Sequence, residues 1–165
     1  MCSSFARRGA SQFLYNQGAV VLKDLRWGLI PFWAKDEEIG YRMINARAET
    51  LKEKPSFRSS LKRKRCLVLA DFFYEWQKIP GSARKQPMFI RLRDQEPFVF
   101  ARLWDAWKKP DDAEVESYTI ITCEPNDLMR PIHNRMPVIV KRENYDQWLD
   151  PKNEDVDGLA KLLVP

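Results

Sequence analysis

The second residue of the chain is a cysteine, preceded only by the initiator methionine. Removal of Met1 would expose the α-amine of Cys2 beside its thiol, and the two groups together form a 1,2-aminothiol. Near pH 7 roughly a tenth of an α-amine is neutral, against about a few parts in ten thousand for a lysine amine. A neutral amine attacks an aldehyde to give a Schiff base, and the thiol can then close on the imine carbon as a thiazolidine. Cys2 is therefore a candidate nucleophile toward aldehydes, with a frayed terminus of no function as the alternative.

Glu75 is a candidate general acid or base because it lies within the aromatic run from Phe72 to Trp76. Aromatic surroundings exclude water and favour the protonated form of a carboxylic acid. A strand here would place residues 71, 73, 75 and 77 on one face, and that face could equally be the solvated one. The sequence leaves both positions of the Glu75 side chain open.

His133 is the only histidine and lies in a loop between Pro131 and Pro137. Its imidazole titrates closest to neutral pH, so it is a candidate proton shuttle. Loops on a rigid scaffold often carry function. The alternative, a solvated surface histidine, is the more common role of a single loop histidine.

Two further segments are suited to binding. Asn45 and Arg47 stand two residues apart, so an extended chain points an amide and a guanidinium to the same side, as an oxygen-rich ligand requires. A turn asparagine and a surface arginine are the alternative. Trp27, Phe32 and Trp33 surround a proline turn and could stack on exposed bases, with core packing as the alternative.

Several other classes of protein are excluded by what the sequence lacks. It has no dinucleotide-binding glycine motif, no P-loop and no serine nucleophile elbow. The cysteines and His133 do not have the spacing of a zinc site, so we expect neither a metal nor a cofactor. Apolar runs are too short to cross a membrane, and the N-terminus does not resemble a signal peptide. We expect an intracellular protein with reduced thiols and no membrane contact.

Charge is distributed unevenly along the chain, whose formal net charge is +5. Residues 41–65 contain nine basic and two acidic side chains. Residues 94–117 contain three basic and seven acidic side chains, and residues 143–157 contain one and six. This asymmetry favours a basic face that attracts a polyanion and a separate acidic face. A solvated helix surface is the alternative for the basic run.

The elements that must position these residues are mostly strands, since runs rich in β-branched and aromatic residues outnumber helical patterns. We predict strands over residues 18–22, 66–76, 88–92, 98–104, 118–123 and 138–141, helices over 56–62, 143–149 and 156–163, and a turn at 126–129. Connections such as residues 79–82 are too short for crossover helices, which favours antiparallel pairing. We expect one α+β domain over residues 1–165, with a mostly antiparallel, curved or barrel-like β core and a few peripheral helices.

Taken together, five segments in order resemble the SOS-response-associated peptidase (SRAP) family. They are Met1-Cys2, residues 26–31, residues 44–50, residues 70–76 and residues 132–137. Each is weak alone, and their shared order makes the likeness specific. The resemblance covers the terminus and about residues 25–149. Two departures stand out: Ser3-Ser4 replaces a family Gly-Arg, and Phe72 replaces a family glycine.

This resemblance implies a DNA-repair protein that binds single-stranded DNA at an abasic site and becomes covalently linked to it. By analogy, Cys2 supplies the amine and thiol, and Asn45 holds the terminus and the sugar. Glu75 would manage protons, and His133 would protonate the ring-opening oxygen. The resemblance also assigns DNA contacts to Trp27, Phe32, Trp33, Arg47, Thr122 and Arg135. We expect a monomer whose peptidase activity is self-processing that exposes Cys2, with strand cleavage through the Schiff base as a further lyase-type activity.

Two other functions are open at this point. A cysteine-type peptidase acting on other proteins would use Cys2 as nucleophile and His133 as base, although no sequence feature shows a specificity pocket. A non-catalytic single-stranded-DNA-binding module would bind with strong salt dependence and give no covalent product.

Overall fold

The structure is a computed structural model and describes residues 12–16 and 20–165. Cys2 lies outside the described residues, as do Gly18 and Ala19 of the first predicted strand. The strands are β1 (Gln12–Asn16), β2 (Val20–Asp24), β3 (Arg26–Trp27), β4 (Asn45–Arg47), β5 (Arg65–Ala70), β6 (Phe73–Lys78), β7 (Lys85–Ile90), β8 (Phe98–Lys108), β9 (Glu114–Cys123), β10 (Met136–Pro137) and β11 (Ile139–Val140). The α-helices are α1 (Pro55–Arg63), α2 (Tyr145–Leu149) and α3 (Val156–Ala160), and 3-10 helices span Glu37–Arg42, Ala48–Thr50 and Arg142–Asn144.

Most strands join one curved sheet, in the order β10-β9-β8-β5-β1-β2 with antiparallel neighbours. Over the described residues the sheet curls without closing into a barrel. Strands β6 and β7 form a separate antiparallel hairpin. The predicted α+β class with a mostly antiparallel, curved core is confirmed. The exceptions are β3 and β4, which both pair in parallel with β9.

Strands β8 and β9 separate at one end. These strands pair as far as Arg102 and Ile120, and Val138 lies between them beyond that point. The Val138 amide donates to Ile121 O at 2.9 Å, and its carbonyl accepts from the Ala101 amide at 3.0 Å. Strands β10 and β11 flank Val138 and pair with β9 and β8 respectively. The loop that precedes β10 is thereby held at the end of β9.

Strands β2, β7, β8 and β9 differ from their predicted bounds by a few residues, and one predicted strand is wrong because it joins two separate strands. Residues 66–76 form two strands, β5 and β6, separated at Asp71 and Phe72. Strand β5 pairs with β1 and β8, whereas β6 pairs, among the described strands, only with β7. The chain therefore passes from one sheet to the other at this point. High β-propensity on both sides of the break conceals it in the sequence.

Helices α1 and α2 pack against the sheet. The predicted helices are present, although α2 begins at Tyr145 after a 3-10 turn and α3 ends at Ala160. Helix α1 begins at Pro55, whose missing N–H costs nothing at this position, and buries Phe57, Ser60 and Leu61 at helical spacing. Trp148 of α2 is fully buried, and its indole N–H donates to Cys66 O at 3.0 Å. Among the described residues, every helix is too short or too polar to span a bilayer.

Candidate active site

Strand β4 places Asn45 and Arg47 on one side of the chain. Its middle residue, Ala46, is buried, while Asn45 is half-buried and Arg47 is exposed. Parallel pairing sets Arg47 directly beside Thr122 of β9. Thr122 is buried and its hydroxyl lies 3.4 Å from Ala46 O. The extended conformation that brings Asn45 and Arg47 to one face is therefore present, at the end of β9.

Arg135 reaches this same end of β9 from the loop before β10. Its Nη2 donates to Thr122 O at 2.6 Å. Its two terminal nitrogens also donate to the two carboxylate oxygens of Glu49, each at 2.9 Å. Partial burial acts to raise the pKa of Glu49, yet the hydrogen bonds and charge of Arg135 hold that pKa below its usual value. Glu49 was not predicted as a site residue, although it belongs to the segment 44–50 that carries Asn45 and Arg47.

His133 is half-buried in a loop with internal hydrogen bonds. The amides of Ile132 and His133 both donate to Met129 O at 2.9 Å. The imidazole Nδ1 lies 3.1 Å from both the amide nitrogen and the carbonyl oxygen of Arg135. In either tautomer Nδ1 is thus turned toward the backbone. Nε2 has no hydrogen-bond partner in the part of the chain that the structure describes, so it is the nitrogen available to a ligand.

Glu75 is buried, with 1% of its surface exposed. It lies on the inner face of β6 between the buried Phe73 and the half-buried Gln77. The structure therefore decides between the two positions left open by the sequence: the face shared by residues 73, 75 and 77 is turned inward. Gln77 Nε2 donates to Pro131 O at 3.0 Å. This contact holds the strand of Glu75 against the loop of His133.

The aromatic segment 27–33 divides into an anchored part and an exposed part. Trp27 is half-buried and its indole N–H donates to Ile44 O at 2.9 Å. Phe32 and Trp33 are 57% and 46% exposed. They border an open cleft of about 370 Å³ together with Pro55, Arg58 and Ser59. Core packing is thus excluded for Phe32 and Trp33, and a cation shares their cleft.

A buried carboxylate fixes this exposed turn. Asp105 of β8 accepts from the Phe32 amide at 3.0 Å and from Lys64 Nζ at 2.5 Å. Trp107 contributes a second anchor, since its indole N–H donates to Ala34 O at 2.7 Å. Neither Asp105 nor Trp107 was predicted from the sequence, because both act on a turn about 70 residues earlier in the chain.

The two groups of residues lie at different points along β9. The Ile30 amide donates to Ser117 Oγ at 2.7 Å, whereas Arg47 pairs with Thr122. Ser117 and Thr122 are five positions apart along the strand, which corresponds to about 17 Å. The aromatic cleft is therefore a neighbouring site, distinct from the group formed by Asn45, Thr122 and Arg135.

The basic run is partly neutralised by the C-terminal segment. Ion pairs join Lys52 to Asp157 and Arg63 to Glu154. Arg65 is buried and donates to the carbonyl oxygen of Trp148 at 2.6 Å. Five exposed basic side chains have no ion pair within the described ranges, namely Arg42, Arg47, Lys54, Arg58 and Lys62. The basic and acidic segments are thus in contact, and the remaining positive surface is smaller than the sequence suggests.

The two described cysteines are poor nucleophiles. Cys66 and Cys123 are both buried and reduced. Burial raises the pKa of Cys66 to about 12 and that of Cys123 to about 11, so their thiolates are scarce at neutral pH. Among the described residues no three histidine, cysteine or acidic side chains are grouped as metal ligands require.

Comparison with known proteins shows which proteins this chain is similar to. The family model for the SOS response associated peptidase (SRAP) matches residues 5–165. The chain is 56% identical over 144 residues to the abasic site processing protein YoqW of Bacillus subtilis, covering 87% of this chain and 64% of that protein. It is 32% identical over 174 residues to the abasic site processing protein HMCES of Rattus norvegicus, covering 88% of this chain and 49% of HMCES. The chain thus spans less than two thirds of these relatives.

Solved structures share the fold. A crystal structure of a protein from Bacteroides thetaiotaomicron matches with a TM-score of 0.85 and 34% identity, over 95% of this chain and 69% of that chain. A protein from Bordetella bronchiseptica matches with a TM-score of 0.79 and 26% identity, over 96% of this chain and 79% of that chain. The overall fold is therefore shared with proteins of these two bacteria.

Proposed function

Because the chain belongs to the SOS response associated peptidase (SRAP) family, we propose that it processes abasic sites in DNA, the role stated in the names of its curated relatives. The proposed substrate is single-stranded DNA in which one deoxyribose has lost its base. The proposed product is a covalent link between that sugar and Cys2.

The chemistry of this link follows from the aminothiol. An abasic deoxyribose exists partly in a ring-opened form with an aldehyde at C1′. The α-amine of Cys2 attacks C1′, and loss of one water gives an imine. Cys2 Sγ then adds to the imine carbon, and the imine nitrogen takes up a proton as the thiazolidine closes. Met1 must be removed first, since a peptide bond would block the amine.

One contact carries the assignment of the acid and base groups. The hydrogen bond from Gln77 Nε2 to Pro131 O joins the strand of Glu75 to the loop of His133. Glu75 is two positions from Gln77 and His133 is two positions from Pro131, which supports assigning the carboxylate and the imidazole to one site. We assign proton transfer at the amine and sugar to Glu75 and protonation of the ring-opening oxygen to His133.

The neighbouring residues fit the binding of a sugar and its phosphates. Asn45 is half-buried beside β9 and is assigned to hold the terminus and the sugar. Arg47 is exposed and has no ion pair in the described part of the chain, so it is available to a phosphate. Thr122 forms part of the site wall. Arg135, which is occupied by Glu49 and Thr122 O, would meet a phosphate by sharing or exchanging these partners.

The aromatic cleft fits the bases that flank the abasic site. Phe32 and Trp33 offer exposed rings, and Arg58 lines the same cleft. Stacking of a base on an aromatic side chain contributes about 1–3 kcal/mol and does not require a particular base. We assign Phe32 and Trp33 to a wedge against the kinked strand. Trp27, half-buried and anchored to Ile44 O, is assigned to a separate DNA contact.

The test is a denaturing gel of the chain incubated with abasic single-stranded DNA. We expect a slowly migrating adduct, abolished by Cys2→Ala and retained by Cys66→Ala. The mass of the purified chain should be about 131 Da below that of the full sequence, which reports loss of Met1 and a free Cys2 amine. An adduct of undiminished yield with Cys2→Ala would refute the proposed link.

Two further assays, read beside the gel, separate the alternatives. Salt-sensitive binding of the abasic strand with no covalent product would identify a non-catalytic binding module. Cleavage of a generic peptide, dependent on Cys2 and His133 and accompanied by no adduct, would identify a peptidase acting on other proteins.

A further inference from the structure

The outer face of the β6–β7 hairpin has an unusual composition. Since Glu75 faces inward, the alternate residues of β6 face outward, and antiparallel register sets each beside a residue of β7. Tyr74 pairs with Phe89, Trp76 with Pro87 and Lys78 with Lys85. Phe72 and Arg91 extend this face just beyond the strands, as their contacts with Phe89 show. The outer face thus combines aromatic and basic side chains with no acidic one.

The aromatic side chains form a cluster that remains open to solvent. The ring centroid of Phe89 lies 4.7 Å from that of Phe72 and 5.5 Å from that of Tyr74, and Phe72 and Tyr74 are 5.6 Å apart. Their exposed fractions are 43% for Phe72, 37% for Tyr74 and 50% for Phe89. These rings are not part of the hydrophobic core. A cluster of exposed aromatic side chains is typical of a binding surface.

The basic side chains indicate what this face binds. Lys78 and Lys85 are exposed and directly opposite each other, an arrangement of like charges that destabilises a pair of strands. The Arg91 guanidinium carbon lies 6.0 Å from the centre of the Phe89 ring. A bound anion would relieve the repulsion between the lysines. A second copy of the same face would instead bring further positive charges against them, so charge complementarity favours a polyanion.

We propose that the outer face of the β6–β7 hairpin binds unpaired nucleotides, with bases stacked on Phe72, Tyr74 and Phe89 and phosphates at Lys78 and Lys85. Aromatic platforms with adjacent cations bind single strands with little sequence preference. This inference rests on the proposed function for its ligand, since the inner face of the same strand carries Glu75. The hairpin would extend the DNA-binding surface beyond the nucleotides that flank the abasic site.

Stacking is tested by fluorescence anisotropy with intact single-stranded DNA, which contains no abasic site and forms no adduct. The ligands are labelled oligonucleotides of about 6 and about 20 nucleotides, chosen so that the longer one can contact the aromatic cleft and the hairpin together. For Tyr74→Ala/Phe89→Ala we expect at least about fivefold weaker binding of the longer strand and unchanged binding of the shorter. Leu128→Ala, which removes another exposed apolar side chain, should change neither.

Binding of phosphates by the two lysines is tested by the salt dependence of the same equilibrium. For a single strand, the plot of log K against log salt has a negative slope. Its magnitude decreases by about 0.7 for each phosphate that the protein no longer neutralises. Lys78→Gln/Lys85→Gln should lower the slope by up to about 1.4. Lys108→Gln/Lys152→Gln, which changes net charge equally on exposed residues elsewhere, should leave the slope nearly unchanged.

The outcomes separate this inference from the proposed function. Unchanged affinity and slope in both hairpin variants would overturn the inference, while adduct formation by the same variants would leave the proposed function in place. If light scattering shows a dimer that Tyr74→Ala/Phe89→Ala converts to monomers, with DNA affinity unaffected, the occupant is a second copy and the inference is wrong.

Discussion

Glu75 is a carboxylate enclosed on the inner face of a hairpin whose other face is aromatic. Glu75→Gln keeps the shape of the side chain and removes its ability to exchange a proton. We expect the rate of adduct formation with abasic single-stranded DNA to fall by between about 10²- and 10⁴-fold, the range typical of general acid–base groups. A time course on denaturing gels measures this rate.

Two controls distinguish a role of Glu75 in proton transfer from a role in the structure of the site. Glu143→Gln alters an exposed carboxylate on another element and should leave the rate unchanged. Binding of intact single-stranded DNA by Glu75→Gln should also match that of the parent chain. If binding and adduct rate fall together, Glu75 supports the shape of the site instead of moving protons.

Glu49 gives a pH dependence whose sign follows from its pairing with Arg135. Its pKa in the folded chain lies below the ordinary value of 4.5. Its ionised form is therefore stabilised by folding, and this contribution is present above pH 4.5 and disappears as pH falls through the lower folded pKa. In urea unfolding at pH 7 and near pH 3, Glu49→Gln should show a smaller decrease in stability on acidification than the parent chain. An equal decrease in both proteins would show that the pair does not couple to folding.

Gly28 allows the chain to turn from β3 into the aromatic segment. Its φ of +107° is rarely adopted by other residues, and an added Cβ would lie 2.5 Å from Gly40 O. Because Gly40 O is a backbone atom, the clash can be relieved only if the backbone at Gly28 or at Gly40 moves. We expect Gly28→Ala to lower the free energy of unfolding by at least about 2 kcal/mol, from dihedral strain together with this clash. Urea denaturation measures the change.

Gly81 supplies the matched control, since its φ is +73° and an added Cβ would meet no described atom within 4 Å. Gly81→Ala carries the dihedral strain alone and should cost about 1–2 kcal/mol. Equal destabilisation by the two substitutions would show that the approach of Gly28 to Gly40 contributes nothing.

Local sequence patterns correctly predicted which side chains share one face of a strand. Alternation in β6 correctly grouped Glu75 with Phe73 and Gln77, and spacing in β4 correctly placed Asn45 and Arg47 on one side. Alternation could not say which face of β6 is buried, because that depends on a distant strand: Phe73 packs against Phe98 and Phe100 of β8.

Long-range pairing was not predictable from local patterns. Strands β3 and β4 are only two and three residues long and acquire their partner, β9, from a segment about 75–90 residues later. Glu49 and Asp105 take their roles from partners brought by this pairing, Arg135 and the Phe32 amide respectively. No pattern in the sequence around Glu49 or Asp105 predicts these contacts.

At the scale of the whole molecule, the C-terminal acidic segment limits the charge that a polyanion meets. Asp157 and Glu154 pair with Lys52 and Arg63 of the basic run, and all four side chains are substantially exposed. Exposed pairs of this kind contribute about 0–1 kcal/mol to stability. Their larger effect is on the electrostatic potential of the surface beside α1, which they reduce.

Asp157→Asn/Glu154→Gln should therefore strengthen DNA binding while changing stability little. The substitutions remove two negative charges, raising the formal net charge from +5 to +7, and release Lys52 and Arg63. We expect tighter binding of intact single-stranded DNA and a salt slope steeper by up to about 0.7 for each cation that gains a phosphate. Anisotropy titrations over a range of salt concentrations measure both. Asp112→Asn/Glu114→Gln gives the same net charge at the turn between β8 and β9, away from the basic run. If both double variants tighten binding equally, total charge alone governs the attraction, and the C-terminal segment has no particular influence on the basic surface.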